Sequence, residues 1–163
     1  MGAGKTSLGE RLAKHLGARF LDLDERLCER FDCPVSEVFQ HHGEAVFRAA
    51  ETEELTRVSG QDGLVVATGG GAFTDRANRS LIEESGGISV FLDLPWEVLE
   101  RRLAADSAGR PLYRGPEQAR RLYDERLPHY RRATLTIPLE GFESQDEIVE
   151  IIANAVRGVP CGI

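Results

Sequence analysis

Short apolar runs alternate with longer amphipathic stretches along the chain. Leu8, Leu12 and Leu16 recur at helical spacing, and Gly17 supplies a stop, so a helix is predicted over residues 6–16. "ARFLDLD" reads as a short strand, followed by a helical region over about residues 24–59 that Pro34 and Gly43 interrupt. "LVVAT" (64–68) is a β-branched run that ends in three glycines, and "NRSLIEESG" is a helix with a glycine stop. "ISVFLDL" (88–94) is a second buried-type strand, and Pro95 opens the helix "WEVLERRLAAD". "SAGRPLYRGPEQ" has no apolar period and reads as a mobile loop; a helix over 117–132 and the strand "TLTI" follow. Ser144 and Glu147 form a capping-box pattern ahead of "IVEIIANAV". Strands alternating with helices predict an α/β fold with a parallel sheet covered on both faces.

At 163 residues the chain is read as one domain over 1–157 with a fraying tail over 158–163. A hydrophobic content of 41% with 29% charged residues argues against global disorder. The formal charge of −7 would repel a phosphate backbone, so no nucleic-acid partner is expected. Cys28, Cys33 and Cys161 show neither C-x-x-C spacing nor a histidine pair at ligand spacing, which points to a reducing cytoplasm rather than disulfides or zinc. No apolar run approaches about 18 residues, so no membrane partner is expected either.

"MGAGKT" matches the second half of a phosphate-binding loop. Gly2, Ala3 and Gly4 would bring backbone N–H groups to a nucleotide's phosphates, Lys5 would reach the β/γ-phosphates, and the Thr6 hydroxyl would ligand Mg²⁺. The bland alternative is a flexible glycine-rich terminus. In "FLDLD", Asp22 and Asp24 would leave one face of a strand at its C-terminal end, where parallel sheets bind ligands; the alternative is an acidic turn capping the next helix. Arg48 and Glu51 in "GEAVFRAAE" stand one turn apart and could be only a surface pair. Gly69, Gly70 and Gly71 in "ATGGGA" imply close backbone approach, or a loose turn. Arg110 in the loop is suited to closing over a transferring phosphoryl group, and Arg126 in "ERLPHY" to a carboxylate, although either could be a solvated surface residue.

In this order and approximate spacing, "MGAGKT", "FLDLD", "GEAVFRAAE", "ATGGGA", "GRPL" and "ERLPHY" resemble the shikimate kinases, over about residues 1–157. The resemblance implies a P-loop three-layer α/β sandwich with strand order 2-3-1-4-5. It implies ATP- and Mg²⁺-dependent phosphorylation of the 3-hydroxyl of shikimate in the route to aromatic amino acids, by a cytoplasmic monomer. Position by position, Lys5 and Thr6 would bind ATP phosphate and Mg²⁺, with Asp22 near the metal shell. Asp24 would orient the acceptor hydroxyls and take the proton. Arg48 and Arg126 would grip the carboxylate, and Gly69, Gly70, Gly71, Phe39 and Phe47 would line the pocket. Arg110 would sit on the lid, about residues 106–116.

Two departures stand out. The family's loop reads roughly G-x-M-G-x-G-K-[ST], so Met1 takes the place of an internal residue. The first glycine and the central strand are therefore expected to be missing, and the product to fold poorly or bind ATP weakly. Pro138 stands where the family's loop near the adenine usually has an acidic residue or threonine. Gluconate kinases share the phosphate loop but not the triple glycine, the "FRxxE" segment and R-x-P-x-Y together. The alternatives to an active kinase are a domain of the same shape that senses a cyclic acid without turnover, and an inactive fragment.

Overall fold

The computed structural model describes residues 3–105 and 115–159. Gly2, Arg110, most of the expected lid and the end of the tail lie outside the described residues. Helix α1 (Lys5–Leu16) ends on Gly17, whose φ of 66° lets its N–H turn back to the carbonyls of Ala13 and Lys14. Strand β1 (Arg19–Asp22) leads directly into α2 (Leu23–Phe31) and then α3 (Val35–Val58), which is kinked at Gly43. Next come β2 (Leu64–Ala67), a 3₁₀ turn (Ala72–Thr74) and α4 (Arg76–Glu84). The chain continues through β3 (Val90–Asp93), α5 (Trp96–Ala105), α6 (Pro116–Tyr130), β4 (Leu135–Pro138) and α7 (Gln145–Arg157). The capping box of α7 forms as expected: Glu147 N–H donates to Ser144 Oγ, and Ser144 N–H donates to the Glu147 carboxylate.

The elements agree in kind with the sequence reading, and two of the strands are shorter for identifiable reasons. Strand β1 stops at Asp22 because the Asp22 carboxylate accepts the Asp24 N–H at 2.9 Å and caps α2. Asp24 is therefore in the first turn of a helix, not on a strand face shared with Asp22; that expectation is corrected. Strand β3 begins only at Val90; at Ser89 the carbonyl still accepts Leu135 N–H at 2.9 Å, but the remaining bonds to the neighbouring segment run through side chains. Ser89 Oγ accepts Thr134 N–H at 2.9 Å, and Thr134 Oγ1 accepts Ser89 N–H.

Among the described residues the strands form two parallel pairs, β1 with β2 and β3 with β4. In the order 2-3-1-4-5 these are the outer pairs. A cleft of about 510 Å³ lies between β2 and β3. The main core gathers Leu8 and Leu12 of α1, Leu99 of α5, Ile137 of β4 and Ile148 and Ile152 of α7. A second, smaller core (Leu27, Val38, Phe47, Ala50) joins α2 to α3.

Candidate active site

The loop leading into α1 has the geometry of an anion site. Gly4 caps the helix in the left-handed region (φ 74°), with no N-cap side-chain hydrogen bond and no acidic residue in the first turn. The positive helix end favours an anion. Thr6 Oγ1 donates to Asp22 Oδ2 at 2.7 Å, while Asp22 Oδ1 holds the start of α2. One carboxylate thus ties the phosphate loop to α2. A hydroxyl and a carboxylate side by side suit Mg²⁺, which keeps several waters and takes only one or two protein oxygens. No group of three or more His, Cys, Asp or Glu that could hold a metal ion occurs among the described residues.

Asp24 is open to solvent at its rim but ringed by protein. This crowding, and then the neighbouring Asp22 charge, raise its pKa above the ordinary 3.8, against the opposing pull of Lys5 and Arg48.

Arg48 and Glu51 are not a surface pair. Glu51 is wholly buried, and Arg48 Nη1 donates to its Oε2 at 2.7 Å. Burial raises the Glu51 pKa, the Arg48 charge lowers it, and Asp24 raises it further. The other oxygen, Glu51 Oε1, has no hydrogen-bond partner among the described residues. Glu44, exposed, holds the far side of the guanidinium at 3.3 Å. The guanidinium also lies over the rings of Phe47 (5.2 Å) and Phe39 (5.8 Å), which pack on each other with centroids 4.6 Å apart. Both phenylalanines therefore stand beside Arg48.

The three glycines bring these groups together. None of them has positive φ, so the requirement is space rather than conformation. A Cβ on Gly69 would sit 3.0 Å from both Asp24 Oδ1 and Glu51 Oε1. One on Gly70 would sit 2.7 Å from Tyr130 Oη and 3.4 Å from Arg126 Nη1. One on Gly71 would collide with the Arg48 guanidinium. The loose-turn alternative is excluded: the turn is the floor on which Asp24, Arg48 and Arg126 converge. Tyr130 Oη donates to the Gly70 carbonyl at 2.9 Å, and burial raises its pKa against the nearby Arg126 charge. Sequence reasoning gave neither Glu51 nor Tyr130 a role in the site. The available signal was spacing alone, one turn after Arg48 and one turn after Arg126.

A family model described as shikimate kinase matches residues 1–157. The chain belongs to the shikimate kinase family. Within the family, the shikimate kinase of Synechococcus sp. (strain RCC307) is 40% identical over 162 residues, 98% of this chain and 82% of the other. That of Geobacter sulfurreducens is 41% identical over 160 residues, 96% and 87% of the two chains. Among solved structures, Acinetobacter baumannii shikimate kinase in complex with shikimate superposes with a TM-score of 0.88 at 34% identity, covering 96% of this chain and 88% of that one. Aquifex aeolicus shikimate kinase gives 0.81 at 28% identity, covering 97% and 92%. A gluconokinase from Sinorhizobium meliloti gives 0.55 at 22% identity over 96% and 87%, a likeness of fold alone.

Proposed function

We infer that the chain transfers the γ-phosphoryl group of ATP to the 3-hydroxyl of shikimate. The observation that carries this reading is the Gly69–Gly71 turn, against which a carboxylate pair (Asp24, Glu51) and two arginines (Arg48, Arg126) are packed. A cyclic polyhydroxy acid needs both kinds of group: carboxylates that accept hydroxyl protons, and fixed guanidinium forks for its own carboxylate. The Thr6–Asp22 bond sets this pocket against the phosphate loop, so donor and acceptor would meet in one place.

Transfer through a loose transition state asks for alignment and charge stabilisation more than covalent help. In this reading the α1 N-terminus and Lys5 hold the β- and γ-phosphates, and Arg110 covers them. Thr6 and Asp22 would hold Mg²⁺, which when bound neutralises charge on the phosphates. Asp24 accepts the 3-hydroxyl proton, a role its raised pKa suits. Arg48 and Arg126 anchor the carboxylate, and buried Glu51 fixes the angle of Arg48. In this reading the enzyme acts as a cytoplasmic monomer, as the resemblance implies. The test is ADP release with ATP and Mg²⁺ in the presence of shikimate, gluconate or no acceptor, with mass-spectrometric identification of the product. Turnover with shikimate alone is expected. Saturable shikimate binding without turnover would overturn the assignment and leave a sensor.

A further inference from the structure

We propose that Cys28 and Cys33 form a reversible disulfide, a thiol switch at the junction of α2 and α3 that moves the seat of Arg48. The first argument is placement. Cys28 lies in the last turn of α2, and Cys33 lies in the link to α3, just before its Pro34 cap. Between them α2 ends on Asp32, the one non-glycine residue with positive φ (53°) among the described residues. That left-handed residue turns the chain back on the helix. The N–H groups of Asp32 and Cys33 both donate to the Cys28 carbonyl, that of Cys33 at 3.3 Å. The Cys33 bond is the closing bond of a Schellman turn, and side chains at the two ends of such a turn commonly meet. With ordinary backbone dimensions it holds the two Cα atoms within about 7 Å, the reach of a disulfide.

The second argument is the state of the thiols. Both are free and partly exposed, so a small oxidant can reach them. Partial burial, then the charges of Glu37, Cys28 and Asp32, raise the Cys33 pKa above its ordinary 9.0. Cys28 is therefore the attacking thiol and Cys33 the resolving one. The oxidant is a low-molecular-weight disulfide. Cys28 gives up its proton and attacks one sulfur of the oxidant, whose S–S bond breaks and whose other half leaves as a thiolate with the electron pair. Cys33 then gives up its proton and attacks Cys28 Sγ, expelling the second thiolate. The two cysteines are oxidised to one disulfide, the oxidant is reduced to two thiols, and the two released protons go to the leaving thiolates.

The third argument is what the bond would move. Cys33 packs on the smaller core beside Val35 and Phe39, around Val38 and Phe47. The rings of Phe39 and Phe47 carry the Arg48 guanidinium. Bringing the two sulfurs to about 2.05 Å draws Cys33 from that packing, and the ring pair and Arg48 shift with it. The closed loop is short, so it adds little to the stability of the oxidised form, and the bond stays reducible.

The test uses residues 1–163 with Cys161→Ser, so that no third thiol competes, in mixtures of reduced and oxidised glutathione. Trypsin cuts after Arg26, Arg30 and Arg48, so the bond joins peptide 27–30 to peptide 31–48 in the mass spectrum. The joined peptide is expected from monomer in millimolar oxidised glutathione, and dithiothreitol should remove it. On oxidation, hydrogen exchange over residues 35–50 should change at least about threefold. KM for shikimate, a readout that rests on the functional reading, should rise at least about threefold, with KM for ATP within about twofold. Cys28→Ser leaves the packed Cys33 in place and should show none of these changes. Glutathione adducts without the joined peptide, or a bond only between two molecules, would overturn the proposal. So would a joined peptide that leaves exchange over 35–50 unchanged, the same changes in Cys28→Ser, or an unaltered KM in an enzyme that turns shikimate over. Peptide mapping and exchange need no turnover, so the switch and the kinase reading fail separately.

Discussion

Gly71→Ala isolates the geometry of the acceptor site. Gly71 has φ −79° and ψ −35°, a right-handed conformation open to any residue. Alanine there carries no backbone strain and, by restricting the unfolded chain, would by itself stabilise by about 0.4–1 kcal/mol. The new Cβ, however, falls on the Arg48 guanidinium. That group is the end of a flexible side chain, so it can swing away, but only by leaving Glu51 Oε2 at 2.7 Å. Stranding one member of a buried pair costs about 3–5 kcal/mol. Glu51 has an escape, because burial already raises its pKa and protonation removes the stranded charge. A net loss of about 1–3 kcal/mol is expected, a fall of several degrees in Tm at about 2–4 °C per kcal/mol for a chain of this size. The displaced arginine no longer meets the substrate carboxylate, so KM for shikimate should rise about 30–100-fold, equivalent to about 2–3 kcal/mol. KM for ATP should stay within about twofold. Gly63→Ala is the control. Gly63 has φ +65° and open space around it, so it should lose stability through strain and leave both KM values alone. Steady-state kinetics in both substrates with thermal melts would decide. An unchanged shikimate KM in Gly71→Ala would refute the convergence of Arg48 on the glycine turn.

Asp24→Asn should abolish turnover while leaving ATP binding near normal, checked by calorimetry and single-turnover assay. The Asp24 pKa is raised in the fold, so its contribution to stability is full below 3.8 and is lost as pH rises through the higher folded value. The same variant should therefore melt higher than the parent at pH 7 but not at pH 3, and in the parent kcat/KM should fall on the acid side at a pH above 3.8. Arg126→Ala should raise KM for shikimate far more than KM for ATP, by about 2–5 kcal/mol of binding; a selective effect on ATP would contradict the carboxylate role. Tyr130→Phe removes the bond to the Gly70 carbonyl and should cost about 1 kcal/mol in stability, read by denaturant unfolding, with a smaller effect on shikimate than Arg126→Ala.

Local chemistry made much of this protein legible in one dimension. The period of Leu8, Leu12 and Leu16, the glycine stop at Gly17 and the Ser144–Glu147 box act within a few residues of themselves, and each forms as the pattern implies. The motif set likewise contained the residues that meet at the glycine turn, because phosphate and carboxylate recognition restrict residue type. What the sequence left open depends on distant neighbours. Whether Arg48 and Glu51 are a solvated pair or the buried floor of a pocket turns on Gly69–Gly71, some 20 residues away, whose missing side chains leave room for them. Whether Asp24 sits on a strand or a helix was decided by competition for one carboxylate, since Asp22 caps α2 and ends the strand early. Tyr130 entered the site only because α6 carries it to the Gly70 carbonyl, 60 positions away in the chain. Strand propensity is local, but the pairing of β1 with β2 and of β3 with β4 joins segments some 45 positions apart in the chain. Hydrogen bonds between strands and the burial that drives them are long-range quantities, and only the folded chain assigns them.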